Sequence, residues 1–150
     1  MSTYRLLSLL LVPLLFVTAC GNDDLDCVGG DDVSLEEYIT QENLTTTDGG
    51  NRLQYIIFDE GGADKPSATA QVTVTYVGYT TQGDTFDRNT NLPLQLPRLI
   101  EGWQRAIPLL GRGGRMQLFV PSELGYGSTL VGNICPDSDL IFDLTLVGFQ

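Results

Sequence analysis

The chain is 150 residues long and 42% hydrophobic, the size and composition of one globular domain with short appendages. Its 19 acidic and 8 basic residues give a formal charge of −11, which argues against nucleic acid as a partner and against electrostatic adhesion to anionic lipid headgroups. With no histidine and three cysteines at no paired spacing, a zinc or copper site has little support, and no cofactor is expected.

The N-terminal segment is read apart from the fold. Arg5 supplies a positive start and Leu6 to Val17 an apolar run broken by Ser8, too short for the about 20 residues that span a bilayer. Such a run, ending in small residues, is a secretion signal over residues 1–19. Val17-Thr18-Ala19-Cys20 resembles the bacterial lipobox, which implies cleavage before Cys20 and acylation of that cysteine. Several acyl chains, each contributing ~0.8 kcal/mol per buried methylene, hold a protein stably to a membrane. The expected location is therefore the cell envelope, lipid-anchored on the periplasmic face of a membrane or at the cell surface. An ordinary signal peptide with a chance cysteine is the plain alternative.

Residues 20–34 follow as an acidic tether, in which Asp23, Asp24, Asp26, Asp31 and Asp32 crowd around Gly29 and Gly30. If Cys20 is lipidated, Cys27 and Cys135 remain, an even pair that invites a disulfide in an oxidising compartment. Their meeting does not follow from sequence, and a place in a solvated tether weighs Cys27 towards a free thiol.

Residues 35–70 are expected to hold a helix and a first strand. Ser34 and Glu37 have the spacing of a capping box, and Leu35, Tyr38 and Ile39 share one face, which predicts a short amphipathic helix from Leu35 to about Glu42. Thr45 to Asn51 reads as a polar, glycine-containing connection. The period then changes to two over Leu53 to Phe58, which predicts a strand.

Within residues 71–150 the alternation returns three times. Val72, Val74 and Tyr76 alternate with threonines over Gln71 to Val77; Met116, Leu118 and Val120 alternate over Arg115 to Val120; Leu140, Phe142, Leu144 and Leu146 alternate to the end. Thr81-Gln82-Gly83-Asp84 supplies a turn. Between them Leu99 to Leu110 is helical in pattern, ended within about two turns by Pro108 and the glycines that follow. The fold class is α+β, a small antiparallel sheet against one short helix.

Five motifs in this region resemble the FKBP family of peptidyl-prolyl isomerases, in the family's order and over about eighty residues. They are Val74-Thr75-Tyr76-Val77-Gly78, Gly83-Asp84-Thr85-Phe86-Asp87, Leu99-Ile100-Glu101-Gly102-Trp103, Val120 to Gly127, and Asp139 to Leu146. The resemblance implies a small twisted antiparallel sheet wrapped around one short helix. It also implies a pocket walled and floored by Tyr76, Phe86, Trp103, Tyr126 and Phe142, with Asp87 at the rim. Leu99 and Ile100 would stand at the helix start, Leu94 on one wall, and Ile134 would close the pocket from the loop after Tyr126.

Each of these residues also has a plainer role. Phe142 and Trp103 are core residues in most sheets, Asp87 is a common turn residue, and Tyr126 between glycines is a corner plug. The sequence departs from the family pattern in two places. The chain between Asp87 and Leu99 is short and offers Leu94 and Leu96 where an aromatic often stands. Cys135-Pro136 replaces the usual double proline, with Asn133 at a normally apolar position.

The implied activity is isomerisation of Xaa-Pro bonds in proline-containing polypeptides folding outside the cytoplasm, by a monomer tethered to a membrane through its N-terminal lipid. Rotation breaks no sigma bond, so it requires no acid, base or nucleophile. The competing reading is a non-catalytic proline-peptide-binding or chaperone-like module on the membrane surface.

Overall fold

The computed structural model describes residues 27–30 and 33–150. The signal segment 1–19, Cys20 and the acidic residues Asp23, Asp24, Asp26, Asp31 and Asp32 lie outside the described residues.

Among the described residues six strands form one antiparallel sheet. In chain order they are β1 (Thr47–Gly50), β2 (Leu53–Asp59), β3 (Gln71–Thr80), β4 (Thr85–Gln95), β5 (Arg115–Val120) and β6 (Leu140–Phe149). In space the order is β1-β2-β5-β6-β3-β4, which places the two ten-residue strands β3 and β6 side by side within the sheet. Helix α1 (Leu35–Gln41) covers one face and helix α2 (Glu101–Ala106) the other. This is the α+β architecture that the strand alternation and the single central helix imply.

Strand alternation sorts the core into two layers. Met116, Leu118 and Val120 of β5 and Leu140, Phe142, Leu144 and Leu146 of β6 are buried on the α2 side, together with Val72, Val74 and Tyr76 of β3. Phe119 and Ile141, one residue out of phase, are buried on the α1 side against Leu35 and Ile39. The Ser34 hydroxyl accepts from the Glu37 N–H at 3.3 Å and so caps α1, while Asp139 Oδ2 accepts from the Leu35 N–H at 3.2 Å and docks the helix start to the sheet.

Helix α2 stops after six residues, where Pro108 opens a 3-10 turn over Ile107–Leu109, as the breaker pattern predicts. Gly102 lets it lie close to β5, since a Cβ there would stand 2.7 Å from Val120 Cγ1. Trp103, Ala106, Ile107 and Leu110 are thereby pressed into the main core.

Two strands were not expected. Thr47–Gly50 pairs with β2 through a two-residue turn in which Asn51 and Arg52 have φ of 53° and 64°. Both residues are left-handed, the type I′ geometry that matches strand twist and draws a glycine-rich segment into a hairpin. Thr85–Gln95 is polar and contains Pro93, yet it pairs along the whole of β3. It can do so because it is the sheet's edge, where a missing N–H costs no ladder bond.

Candidate functional site

All ten pocket residues named from the resemblance line one cavity of about 380 Å³ on the α2 side of the sheet. β3 contributes Tyr76, β4 Phe86, Asp87 and Leu94, and β6 Phe142. Leu99 and Ile100 precede α2, Trp103 lies on it, and Tyr126 and Ile134 come from the chain between β5 and β6.

Trp103 is the centre of an edge-to-face aromatic cluster. Its ring lies 5.0 Å from that of Tyr76 at 85° and 5.2 Å from that of Phe142 at 82°, and Phe86 meets Phe142 at 5.6 Å and 85°. Such contacts add about 0.5–1.5 kcal/mol per pair beyond burial and lock the rings in place. The indole Nε1–H of Trp103 is buried and has no acceptor among the described residues.

A bulge explains how neighbours Phe86 and Asp87 both reach the cavity. Opposite β4, Tyr79 pairs with Thr85 but Gly78 pairs with Asp87, so Phe86 is an extra residue in the ladder. Its ring lies over Gly78, where a Cβ would come within 2.6 Å of Phe86 Cε2. Asp87 is exposed at the rim and its Oδ2 accepts from the Tyr76 hydroxyl; Asn89 Nδ2 also donates to that hydroxyl, at 3.3 Å. Burial, then the bond to Asp87, pushes the Tyr76 phenol up to about 12. Burial, with the nearby charge of Asp87, raises the Tyr126 phenol as well. Both hydroxyls therefore keep their protons at neutral pH.

The cavity thus presents aromatic walls, one carboxylate at the rim and few other polar groups. The Ile100 N–H, just ahead of α2, has no acceptor among the described residues. Nothing in this set resembles a nucleophile held by a base. The arrangement suits an apolar ring flanked by amide carbonyls.

Five further residues line the cavity: Leu92, Arg98, Val131, Gly132 and Asn133. Leu92 was legible in principle, because it lies two residues from Leu94 on the same strand face. Arg98 and the 131–133 turn carry no periodic signal. Leu96, paired with Leu94 in the sequence reading, points instead into the core and is fully buried.

The cysteine expectation is corrected. Cys27 and Cys135 form a disulfide, with Cα atoms 5.2 Å apart. Cys27 is not in a free tether: the Val28 N–H donates to the Asn133 carbonyl at 2.7 Å and the Val28 carbonyl accepts from the Cys135 N–H at 2.9 Å.

Comparison with known proteins places this architecture. Residues 62–147 match the FKBP-type peptidyl-prolyl cis-trans isomerase family. Over 123 residues the chain is 33% identical to the FKBP-type peptidyl-prolyl cis-trans isomerase FkpA of Aeromonas hydrophila, covering 77% of this chain and 45% of that one. The chain therefore spans about half the length of such a relative. The crystal structure of FkpA from Escherichia coli superposes with a TM-score of 0.72 at 28% identity, covering 77% of this chain and 57% of that one. A peptidyl-prolyl cis-trans isomerase crystal structure from Pseudomonas syringae gives 0.66 at 26% identity, covering 81% of this chain and 99% of that one. With the matched region spanning more than half of the sequence, this chain belongs to the FKBP-type peptidyl-prolyl cis-trans isomerase family.

Proposed function

We propose that this protein is a peptidyl-prolyl cis-trans isomerase of the cell envelope that accelerates rotation of Xaa-Pro bonds in folding polypeptides. The observation that carries the reading is the aromatic cavity itself, with Trp103 at its floor between Tyr76 and Phe142.

The uncatalysed reaction faces a resonance barrier of ~18–20 kcal/mol and takes tens to hundreds of seconds. In the twisted transition state the amide loses its conjugation and much of its charge separation. An aromatic, mainly apolar cavity therefore stabilises that state relative to the planar, more polar ground state. The proline ring stacks on Trp103. Tyr126 donates its hydroxyl hydrogen to one substrate carbonyl and the Ile100 N–H donates to another, which holds the flanking chain while the bond between them turns. Asp87 fixes the Tyr76 ring through its hydrogen bond.

Attachment to a membrane through lipid on Cys20 belongs to the same proposal, supported by the Val17-Thr18-Ala19-Cys20 sequence. Wild-type protein should fractionate with membranes, and a Cys20→Ala protein should not incorporate labelled fatty acid; labelling of that variant would refute the assignment. The isomerase reading is tested by an assay on Xaa-Pro peptides, in which folded protein that binds peptide without accelerating exchange would place the chain among non-catalytic binders.

A further inference from the structure

We propose that residues 27–30 form a strap that belongs to the substrate site, and that the Cys27–Cys135 disulfide positions Ile134 as a wall of the cavity. The inference rests on reading that cavity as the place where peptide binds.

Ile134 is 5% exposed and lines the cavity, yet it lies in irregular chain between β5 and β6. Within that chain it is held by a tight turn, in which Val131 and Ile134 exchange N–H to carbonyl bonds at 3.2 and 2.9 Å. The strap holds the same turn from behind. Val28 forms a parallel bridge to Ile134, its N–H donating to the carbonyl of Asn133 before Ile134 and its carbonyl accepting from the N–H of Cys135 after it. The disulfide then closes one end of this short ladder. Ser138 Oγ donates to the Cys135 carbonyl at 2.7 Å and closes the other side.

The approach of the strap depends on Gly29. Its φ is +89°, and a Cβ at that position would lie 2.8 Å from Ser138 Cβ. A larger residue cannot follow the same path, so the disulfide and the glycine together fix one geometry. The three residues next to Ile134 on the cavity side, Val131, Gly132 and Asn133, ride on this held turn.

A wall ordered before substrate arrives does not have to be ordered by it. If the strap is released, the turn spends part of its time out of place, and apparent affinity falls by the fraction of molecules in the competent arrangement. The chemistry of rotation, centred on Trp103 and Tyr126, changes less. Cys27 and Cys135 are therefore positioning residues acting through Ile134, and a dithiol can release them. In that exchange the dithiol closes to a cyclic disulfide and its two protons and two electrons leave Cys27 and Cys135 as thiols.

The test uses the full chain, oxidised and after treatment with a dithiol, together with Cys27→Ser/Cys135→Ser and Gly29→Ala. Trp103 is the only tryptophan, so its fluorescence reports binding of a short proline-containing peptide whether or not turnover occurs. A competent fraction of about 0.1–0.3 after release predicts a Kd, and a KM, raised about 3- to 10-fold with kcat changed less than about 2-fold. Gly29→Ala, which keeps both cysteines, should shift in the same direction, and the double serine variant should no longer respond to dithiol. Folded, reduced protein with unchanged peptide affinity would overturn the inference. Absence of turnover in the oxidised protein would instead count against the isomerase reading, since the binding arm stands without it.

Discussion

The Tyr76 hydroxyl donates to Asp87 across the β3–β4 pair, and this bond ties the sheet's edge strand to the floor of the cavity. Burial of the Tyr76 phenol, and then this bond, predict alkaline behaviour. A phenol whose folded value is raised is stabilising while protonated, so its contribution is complete below pH ~10 and is lost as pH climbs through about 12. Tyr79, on the other face, is pushed up to about 12 by burial and by Asp143 and acts in the same window. Denaturant unfolding at pH 9 and pH 11 should show falling stability in the wild type and a smaller fall in Tyr76→Phe. An equal fall in both would remove Tyr76 from the account.

Gly78 is predicted to be intolerant of a methyl group. A Cβ there meets Phe86 at 2.6 Å and Phe142 Cε1 at 2.9 Å, both parts of rigid rings. Overpacking of this kind costs about 1–3 kcal/mol, and relief by moving Phe86 opens the cavity wall. Gly78→Ala should therefore lower stability and peptide affinity together, measured by denaturant unfolding and fluorescence titration. Gly83→Ala is the contrasting variant: its φ of +91° disfavours any side chain, but nothing stands within 4 Å, so it should lose stability alone.

Asp139 is predicted to matter more than the arginine beside it. Its carboxylate accepts from the Leu35 N–H at 3.2 Å and from the Ser122 N–H at 2.9 Å, joining α1 to the turn after β5. Arg52 reaches Asp139 at 3.5 Å and also contacts Glu36 and Glu123, but all three of the arginine, Glu36 and Glu123 are largely exposed. Exposed pairs contribute about 0–1 kcal/mol, whereas orphaned partly buried donors cost about 1–3 kcal/mol. Asp139→Ala should lower the unfolding midpoint more than Arg52→Ala. The Arg52 hydrogen bond lowers the Glu36 carboxyl from its usual value, so that pair stabilises above the ordinary glutamate range and fades as pH falls through it. The reverse ranking of the two variants would contradict the assignment.

The alternating strands made most of this fold readable. Leu53–Asp59, Gln71–Thr80, Arg115–Val120 and Leu140–Phe149 lie where period-two runs predicted them, because each turns alternate apolar residues into the core on the α2 side. The edge strand Thr85–Gln95 was hidden because its order comes from pairing with β3 and not from its own polar residues. The hairpin at Asn51-Arg52 was hidden for a different reason: left-handed conformation at an arginine leaves no sequence signature. The cavity residues were found by motif, whereas the Phe86 bulge, Arg98 and the strap at Val28 depend on contacts between distant segments. Cys27 and Cys135 are separated by 108 positions, which no local pattern connects.

A protease-coupled isomerisation assay on Xaa-Pro peptides with wild type, Trp103→Leu and Tyr126→Phe tests most directly whether this cavity catalyses proline isomerisation. The wild type should accelerate exchange clearly, folded Trp103→Leu should lose at least tenfold in kcat/KM, the ~1.4 kcal/mol expected when a floor contact is removed, and Tyr126→Phe should lose less. Wild-type protein that binds proline peptides yet leaves the exchange rate unchanged, or folded Trp103→Leu with full activity, would contradict catalysis by this cavity.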